Sequence, residues 1–195
     1  MKKRIAVWCL ILCAVFGVCA CGRKSETPDS FMDTYFQCDG GIKPGVLSWG
    51  DTQKEIMDKL TIKEDMISIQ EDTRFVADDA VEGLPEGCEG KVSFEMEDNL
   101  IGIRLMFLSK TEETDREILE TVLGWGKKYL PDTDLNSELW AKNTDEMIDQ
   151  IIEEKSTAIG WTLEDGSSFN ISYIADSDRI ITVTGMMPRT LNGKH

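Results

Sequence analysis

Apolar and polar residues alternate in two stretches of the chain, as they do in antiparallel strands that bury one face. Between residues 91 and 108 the alternation is interrupted only by a turn at 98–99, which predicts a hairpin. Between residues 159 and 184 it is interrupted twice, at 164–167 and 176–178, which predicts a three-stranded meander.

Three other segments repeat apolar residues with the period of an amphipathic helix. A Thr followed three residues later by a Glu forms a capping-box pattern at 52–55 and again at 114–117, and each pattern predicts a helix start. The second helix is expected to end before Pro131. A third helix is predicted from 144 to 155, with Asn143 as its N-terminal cap.

The rest of the pattern is weaker. It predicts short strands at 46–49 and 75–77, and an acidic loop rich in Gly and Pro at 78–90. Helices and antiparallel strands that occur in clusters indicate the α+β class. We therefore expect an antiparallel sheet, made of hairpins and a meander, with about three helices packed on one face.

We expect residues 31–187 to form a single α+β domain. Segments 92–98 and 159–165 are alike in residue type, and each opens a hairpin. Two helix–hairpin units, 46–108 and 114–187, are therefore an alternative description of the same region.

The first 21 residues have the layout of a bacterial secretory leader. Basic residues at 2–4 precede an apolar run at 5–18, and small residues follow. The segment Val18-Cys19-Ala20-Cys21 resembles the lipobox of bacterial lipoproteins, which implies cleavage before Cys21 and acylation of its side chain. An ordinary signal or an uncleaved anchor is the alternative interpretation.

On the lipoprotein interpretation, residues 1–20 are a signal peptide, 21–30 are a tether and 188–195 are a frayed polar tail. Several acyl chains hold a protein to a bilayer far better than one. The domain is then expected on the outer surface of the cytoplasmic membrane.

Acidic residues outnumber basic ones 36 to 21, for a formal charge of −15. Such a surface repels phosphate backbones, so nucleic acid is not an expected partner. The single His is the last residue, His195, which leaves most of the chain without an imidazole for general-base or zinc chemistry. We expect a non-catalytic protein with no cofactor and no metal.

Three further side chains are candidate site residues. Cys38 and Cys88 are the cysteines that remain outside the leader and the anchor, and both lie beside glycine-rich turns. In an exported domain they form either a disulfide or two free thiols. Trp140 has polar neighbours and is either a core residue or an exposed contact for a partner.

One segment carries a further resemblance. Trp49-Gly50-Asp51-Thr52 leads into the first predicted helix, and the hairpin at 91–108 follows. This arrangement resembles small lipoproteins of the BamE/SmpA type and the β-lactamase inhibitor protein fold. The resemblance implies a role in binding or assembly without catalysis. A long acidic insert between the helix and the hairpin departs from the compact version of that unit.

These patterns together predict a membrane-anchored, exported lipoprotein whose acidic domain binds an envelope protein or another envelope component. A small solute-binding receptor lipoprotein is the alternative. A deep cleft between two sheets favours the receptor, whereas one sheet with an exposed patch favours the binding module.

Overall fold

The computed structural model describes residues 30–133 and 136–188. The predicted signal peptide, the tether apart from Ser30 and the tail apart from Pro188 lie outside the described residues. The described chain belongs to the α+β class, as predicted. It contains a seven-stranded antiparallel sheet, a separate two-stranded hairpin and three helices of two turns or more.

The elements follow one another with short connections. The helices are α1 (Phe31–Tyr35), α2 (Gln53–Leu60), α3 (Glu112–Tyr129), α4 (Ser137–Trp140) and α5 (Thr144–Glu154), with a 3₁₀ turn at Glu64–Met66. The strands are β1 (Phe36–Cys38), β2 (Ile42–Pro44), β3 (Ile67–Glu71), β4 (Arg74–Asp78), β5 (Glu89–Glu97), β6 (Asn99–Ser109), β7 (Ser156–Thr162), β8 (Ser168–Ala175) and β9 (Arg179–Met186).

The sheet joins two meanders through their last strands. Its order is β3-β4-β5-β6-β9-β8-β7, and all neighbours are antiparallel. The β6–β9 pair runs from Ser109 opposite Arg179 to Gly102 opposite Met186. The predicted hairpin (β5–β6) and the predicted meander (β7–β9) are both confirmed, and they share one sheet.

The two segments that are alike in sequence occupy different places. Residues 92–97 belong to β5, which lies inside the sheet, whereas 159–162 belong to β7, which is an edge strand. Their likeness therefore reflects a shared alternation pattern and not an equivalent position in the sheet.

Two of the three helix starts are as predicted. The Thr52 hydroxyl caps α2 in a complete capping box with Glu55. Asn143 Oδ1 accepts a hydrogen bond from the Glu146 N–H at 3.0 Å and caps α5. The side chains thus satisfy amides that have no partner inside the first turn.

The predicted capping box at 114–117 is wrong by one turn. Helix α3 begins at Glu112, and the Thr111 hydroxyl accepts from the Thr114 N–H at 3.2 Å. Thr114 is itself buried inside the helix. The true cap was missed because the residue three positions after Thr111 is a Thr and not a Glu.

The predicted strand at 46–49 is also wrong. Strand β2 ends at Pro44, and the chain then turns so that the Val46 N–H donates to the Thr34 carbonyl at 2.9 Å. The strand predicted at 75–77 is present as β4. Helix α1 and strands β1 to β3 were not predicted, because each is only three to five residues long.

The core lies between one face of the sheet and the helices. α3 packs on β6 and β9, α5 packs on β7 and on α3, and α1 packs on α3. Gly185 of β9 lets the hairpin β1–β2 sit close to the sheet, since a Cβ atom there would lie 2.6 Å from the Phe36 ring. All long helices of the described chain therefore lie on one face, which leaves the other face without a helical layer.

Candidate functional site: the open face of the sheet

The face of the sheet that points away from the helices, here called the open face, has two unlike parts. The register of β7, β8 and β9 assigns twelve positions to it, and we call these the uncharged half. None of the twelve is buried, whereas their sequence neighbours on the other face form the core. The uncharged half consists of Ser156, Ala158, Gly160, Thr162, Ser168, Asn170, Ser172, Ile174, Ile180, Thr182, Thr184 and Met186.

No position of the uncharged half carries a charged side chain, although 29% of the residues of this protein are Asp, Glu, Lys or Arg. Exposed positions are where charged residues normally collect. The centres of protein interfaces are the surfaces that are depleted in charge, because a charge buried without a partner is costly. The uncharged half thus shares with such centres its lack of charged side chains.

The uncharged half combines methyl and hydroxyl groups. Ile174 is 50% exposed and lies opposite Ile180, which in turn lies opposite Leu108 of β6, so an apolar row crosses three strands. Beside this row the hydroxyls of Ser172 and Thr182 are 2.5 Å apart and hydrogen-bonded to each other. Nine of the twelve residues are Gly, Ala, Ser, Thr or Asn, so this surface offers both apolar area and hydrogen-bonding groups.

The open-face positions of β4, β5 and β6, here called the charged half, are different. Six of these eleven positions are charged, and the six charges cancel. Lys91 Nζ lies 3.2 Å from Asp78 Oδ1, and Arg104 Nη2 lies 4.0 Å from Glu95 Oε1. The charged half consists of Arg74, Val76, Asp78, Glu89, Lys91, Ser93, Glu95, Gly102, Arg104, Met106 and Leu108.

Long side chains cover part of the charged half. Val76 and Ser93 face away from the helices, yet they are only 3% and 2% exposed. Their cross-strand and same-strand neighbours include Arg104 and Lys91, whose aliphatic stems can lie over the sheet while the charged ends stay in water. The charged half is therefore already packed by its own residues.

A buried carboxylate holds the uncharged half in place from the helical side. Asp115, in the first turn of α3, is 0% exposed. It accepts hydrogen bonds from Tyr173 Oη of β8 at 2.7 Å and from Arg179 Nε of β9 at 2.5 Å, and also from Ser109 Oγ. Arg179 Nη2 donates in addition to Tyr173 Oη at 2.9 Å. Burial and the Asp115 carboxylate raise the pKa of Tyr173, so its phenol stays a donor.

The outer edge of β7 is capped by side chains from the α3–α5 connection. Thr133 Oγ1 donates to the Gly160 carbonyl at 2.8 Å, and Asn136 Nδ2 donates to the Ala158 carbonyl. Trp161 Nε1 reaches back to the Pro131 carbonyl at 3.1 Å. Because capped edges resist strand addition, the β7 edge is less open to pairing than an uncapped edge strand.

Of the two alternatives for Cys38 and Cys88, the structure has the free thiols and no disulfide between them. Cys38 pairs with Ile42, whose N–H donates to Ser167 Oγ beyond the far end of β7. Cys88 precedes Glu89, which lies opposite Leu108 at the other end of the strands. About six residues at ~3.3 Å separate the two ends, far more than a disulfide spans.

The thiol at Cys88 is poorly ionised. Burial, together with the carboxylates of Asp115 and Glu89, raises its pKa to about 11. Burial and Asp165 also raise the pKa of Cys38. Thiols of this kind are weak nucleophiles at neutral pH, because the thiolate is the reactive form.

The exposed-contact interpretation of Trp140 is wrong, since its side chain is 3% exposed. The indole packs edge-on against Trp161, with ring centroids 4.8 Å apart, and Lys127 Nζ lies 4.2 Å from its ring centroid. The polar neighbours in sequence face outwards from the short helix α4 while Trp140 faces inwards. Cys21, the predicted lipidation site, lies outside the described residues.

The uncharged half was not identified from the sequence. Its signal is nevertheless present, since every second residue from 156 to 162, from 168 to 174 and from 180 to 186 is uncharged. Reading those positions as one surface requires the strand register, which the alternation pattern alone does not supply.

Other features of the described residues are modest. A recess of about 210 Å³ lies between α1, α2 and the β4–β5 loop, with Phe31, Tyr35, Val46 and Lys59 among its walls. The described residues contain no group of three His, Cys, Asp or Glu side chains able to hold a metal ion. Within residues 30–133 and 136–188, no helix is long and apolar enough to cross a bilayer.

Comparison with known proteins adds no relative: no family model, no curated protein and no solved structure matches this chain.

Proposed function

We propose that this protein is an exported lipoprotein, anchored in the membrane through Cys21, whose α+β domain is a non-catalytic binding module. The observation that carries the binding role is the uncharged half of the open face. Twelve adjacent solvent-facing positions without a charge are unexpected in a chain of net charge −15 unless that surface is covered by another protein. The lipobox-like leader supports export and the membrane anchor.

The geometry favours this module over the solute receptor. The seven strands form one sheet, and the described residues do not enclose a cleft between two sheets. The recess beside α1 holds about 210 Å³, and two larger ones, about 410 Å³ beside β7 and about 620 Å³ along α5, are surface depressions open to solvent. A binding site for a small solute usually encloses most of its ligand, so an open sheet face suits a macromolecular surface better.

The anchor is tested by substituting the predicted acylated residue. Cys21→Ser is expected to abolish incorporation of a labelled fatty acid and to leave the protein unprocessed or released from the membrane. Cys38→Ser is the matched control, because that thiol lies in the folded domain and the substitution should leave labelling intact. Normal acylation of the Cys21→Ser chain would contradict the anchor.

The binding role is tested by photo-crosslinking in intact membranes. A photo-reactive amino acid in place of Thr182, at the centre of the uncharged half, is expected to give a discrete protein adduct. The same group in place of Val46, which is 47% exposed on another surface, is the control. If Thr182 yields no adduct beyond the Val46 background, the binding module is not supported.

A further inference from the structure

We infer that the protein covering the uncharged half is a second copy of this chain, so that two domains pack with their open faces together. This inference rests on the proposed binding role and names the partner of the same surface. Such a dimer is isologous, which means that one surface has to be complementary to itself.

The charge distribution satisfies that requirement. Like charges that face each other across a two-fold axis usually prevent self-association, and the uncharged half has none. In the charged half, Lys91 pairs with Asp78 and Arg104 with Glu95 within each copy, and Arg74 pairs with Glu71 of β3. The uncharged half is therefore neutral even though the chain carries −15.

The acidic residues that create the net charge lie elsewhere. The outer surface of α3 and α5 carries many of them, among them Glu113, Glu120, Glu146 and Glu153. The helical layer lies roughly 10 Å behind the sheet, and salt screens exposed charges beyond about 8 Å at physiological ionic strength. Repulsion between two helical layers on opposite outer sides of the dimer is consequently weak.

The available area fits a modest dimer. Strands β7 to β9, at ~4.8 Å spacing and with four open-face rows along each, present on the order of 400 Å² per copy. Two copies then bury about 800 Å² in total, below the ~1,000 Å² of an interface that is stable in solution, so we expect the free domains to pair weakly. Anchoring both copies in one membrane raises their effective concentration, and we expect the pairing there.

The hydrogen-bonding groups at the centre of the face are also suited to self-contact. Thr182, Thr184, Asn170 and Ser172 surround the centre, and each carries a group that both donates and accepts. Hydroxyl and amide groups therefore find partners on an identical surface, while Ile174 and Ile180 supply apolar area beside them.

The test uses the full chain in its own membranes. Two versions with different tags are co-expressed, and both carry the photo-reactive amino acid in place of Thr182. A homodimer gives an adduct that carries both tags, and Ile174→Lys in both versions is expected to reduce this adduct at least tenfold. Ile174 is 50% exposed, so the substitution is compatible with folding. The chain with the probe at Val46 is the position control.

The outcomes separate this inference from the binding role. A doubly tagged adduct that forms at Thr182 and not at Val46, and that Ile174→Lys reduces, supports the homodimer. An adduct at Thr182 that contains only one tag and a different protein overturns the homodimer and keeps the binding role. The absence of any adduct at Thr182 overturns both, and so does a doubly tagged adduct of equal yield at Val46.

Discussion

The two halves of the open face differ in how far their side chains shield the sheet from solvent. In the charged half, long side chains pair with one another, and Val76 and Ser93 between them are buried. In the uncharged half, short side chains leave every position accessible. A sheet face whose charged side chains pair with one another needs no partner. A face of mostly short uncharged side chains remains available for contact. The same sheet therefore carries one surface that its own charged side chains pair across and one that they leave accessible.

The largest effect is expected from removing the support beneath the uncharged half. Asp115→Ala leaves Arg179 and Tyr173 without their buried acceptor, and breaking a buried ion pair costs about 3–5 kcal/mol. Urea denaturation measures the loss in the free energy of unfolding. Hydrogen exchange should show that β8 and β9 lose protection before β4 and β5 do.

Glu113→Ala is the matched control for that substitution. Glu113 lies in the same helical turn but is exposed, so its removal is expected to change the free energy of unfolding by less than ~0.5 kcal/mol. An Asp115→Ala protein that is as stable as the Glu113→Ala protein would show that the network does not support β8 and β9.

A smaller effect is expected where the hairpin β1–β2 meets the uncharged half from behind. Gly185→Ala puts a methyl group within 2.6 Å of the Phe36 ring and 3.0 Å of Ile42 Cγ2. Overpacking of this kind costs about 1–3 kcal/mol. Thermal unfolding gives the measurement.

Gly124→Ala is the control for Gly185→Ala. A Cβ atom at Gly124, inside α3, has nothing within 4 Å. Alanine is preferred to glycine in a helix by about 0.5–1 kcal/mol, so this substitution should stabilise the protein. Equal effects of the two substitutions would mean that β9 moves freely away from the hairpin.

The smallest change in the free energy of unfolding is expected when charged residues of the charged half are replaced by uncharged ones. The double variant Glu95→Thr with Arg104→Thr removes an exposed pair whose closest atoms are 4.0 Å apart. Such pairs contribute about 0–1 kcal/mol. Denaturant unfolding of the two single variants and the double variant measures the coupling, and a coupling above ~2 kcal/mol would show that the ion pairs shape this surface.

The sequence was informative where local patterns along the chain determine the structure. The alternation at 91–108 and 159–184 predicted five strands of the sheet, because each strand buries only one face. The capping residues Thr52 and Asn143 predicted two helix starts, because a local hydrogen bond determines them.

The sequence was uninformative where distant contacts decide. The Asp115 network joins residues that are more than fifty positions apart, and nothing near Asp115 in the chain indicates that it is buried. Trp140 follows the same rule, since its burial depends on Trp161 and not on its polar neighbours. The uncharged half likewise appears only when the register of three strands is known.

The pairing of β6 with β9 also bears on how the chain reaches its native state. Every other neighbouring pair in the sheet joins consecutive strands, whereas α3, α4, α5, β7 and β8 intervene between these two. Local pairs close quickly, and pairs that need a long loop close late. Each meander is therefore able to form before the central seam does. Until that seam closes, β6 and β9 are two unprotected edges with Leu105 and Val183 beside them, which makes the half-assembled chain a target for chaperones and for misassembly.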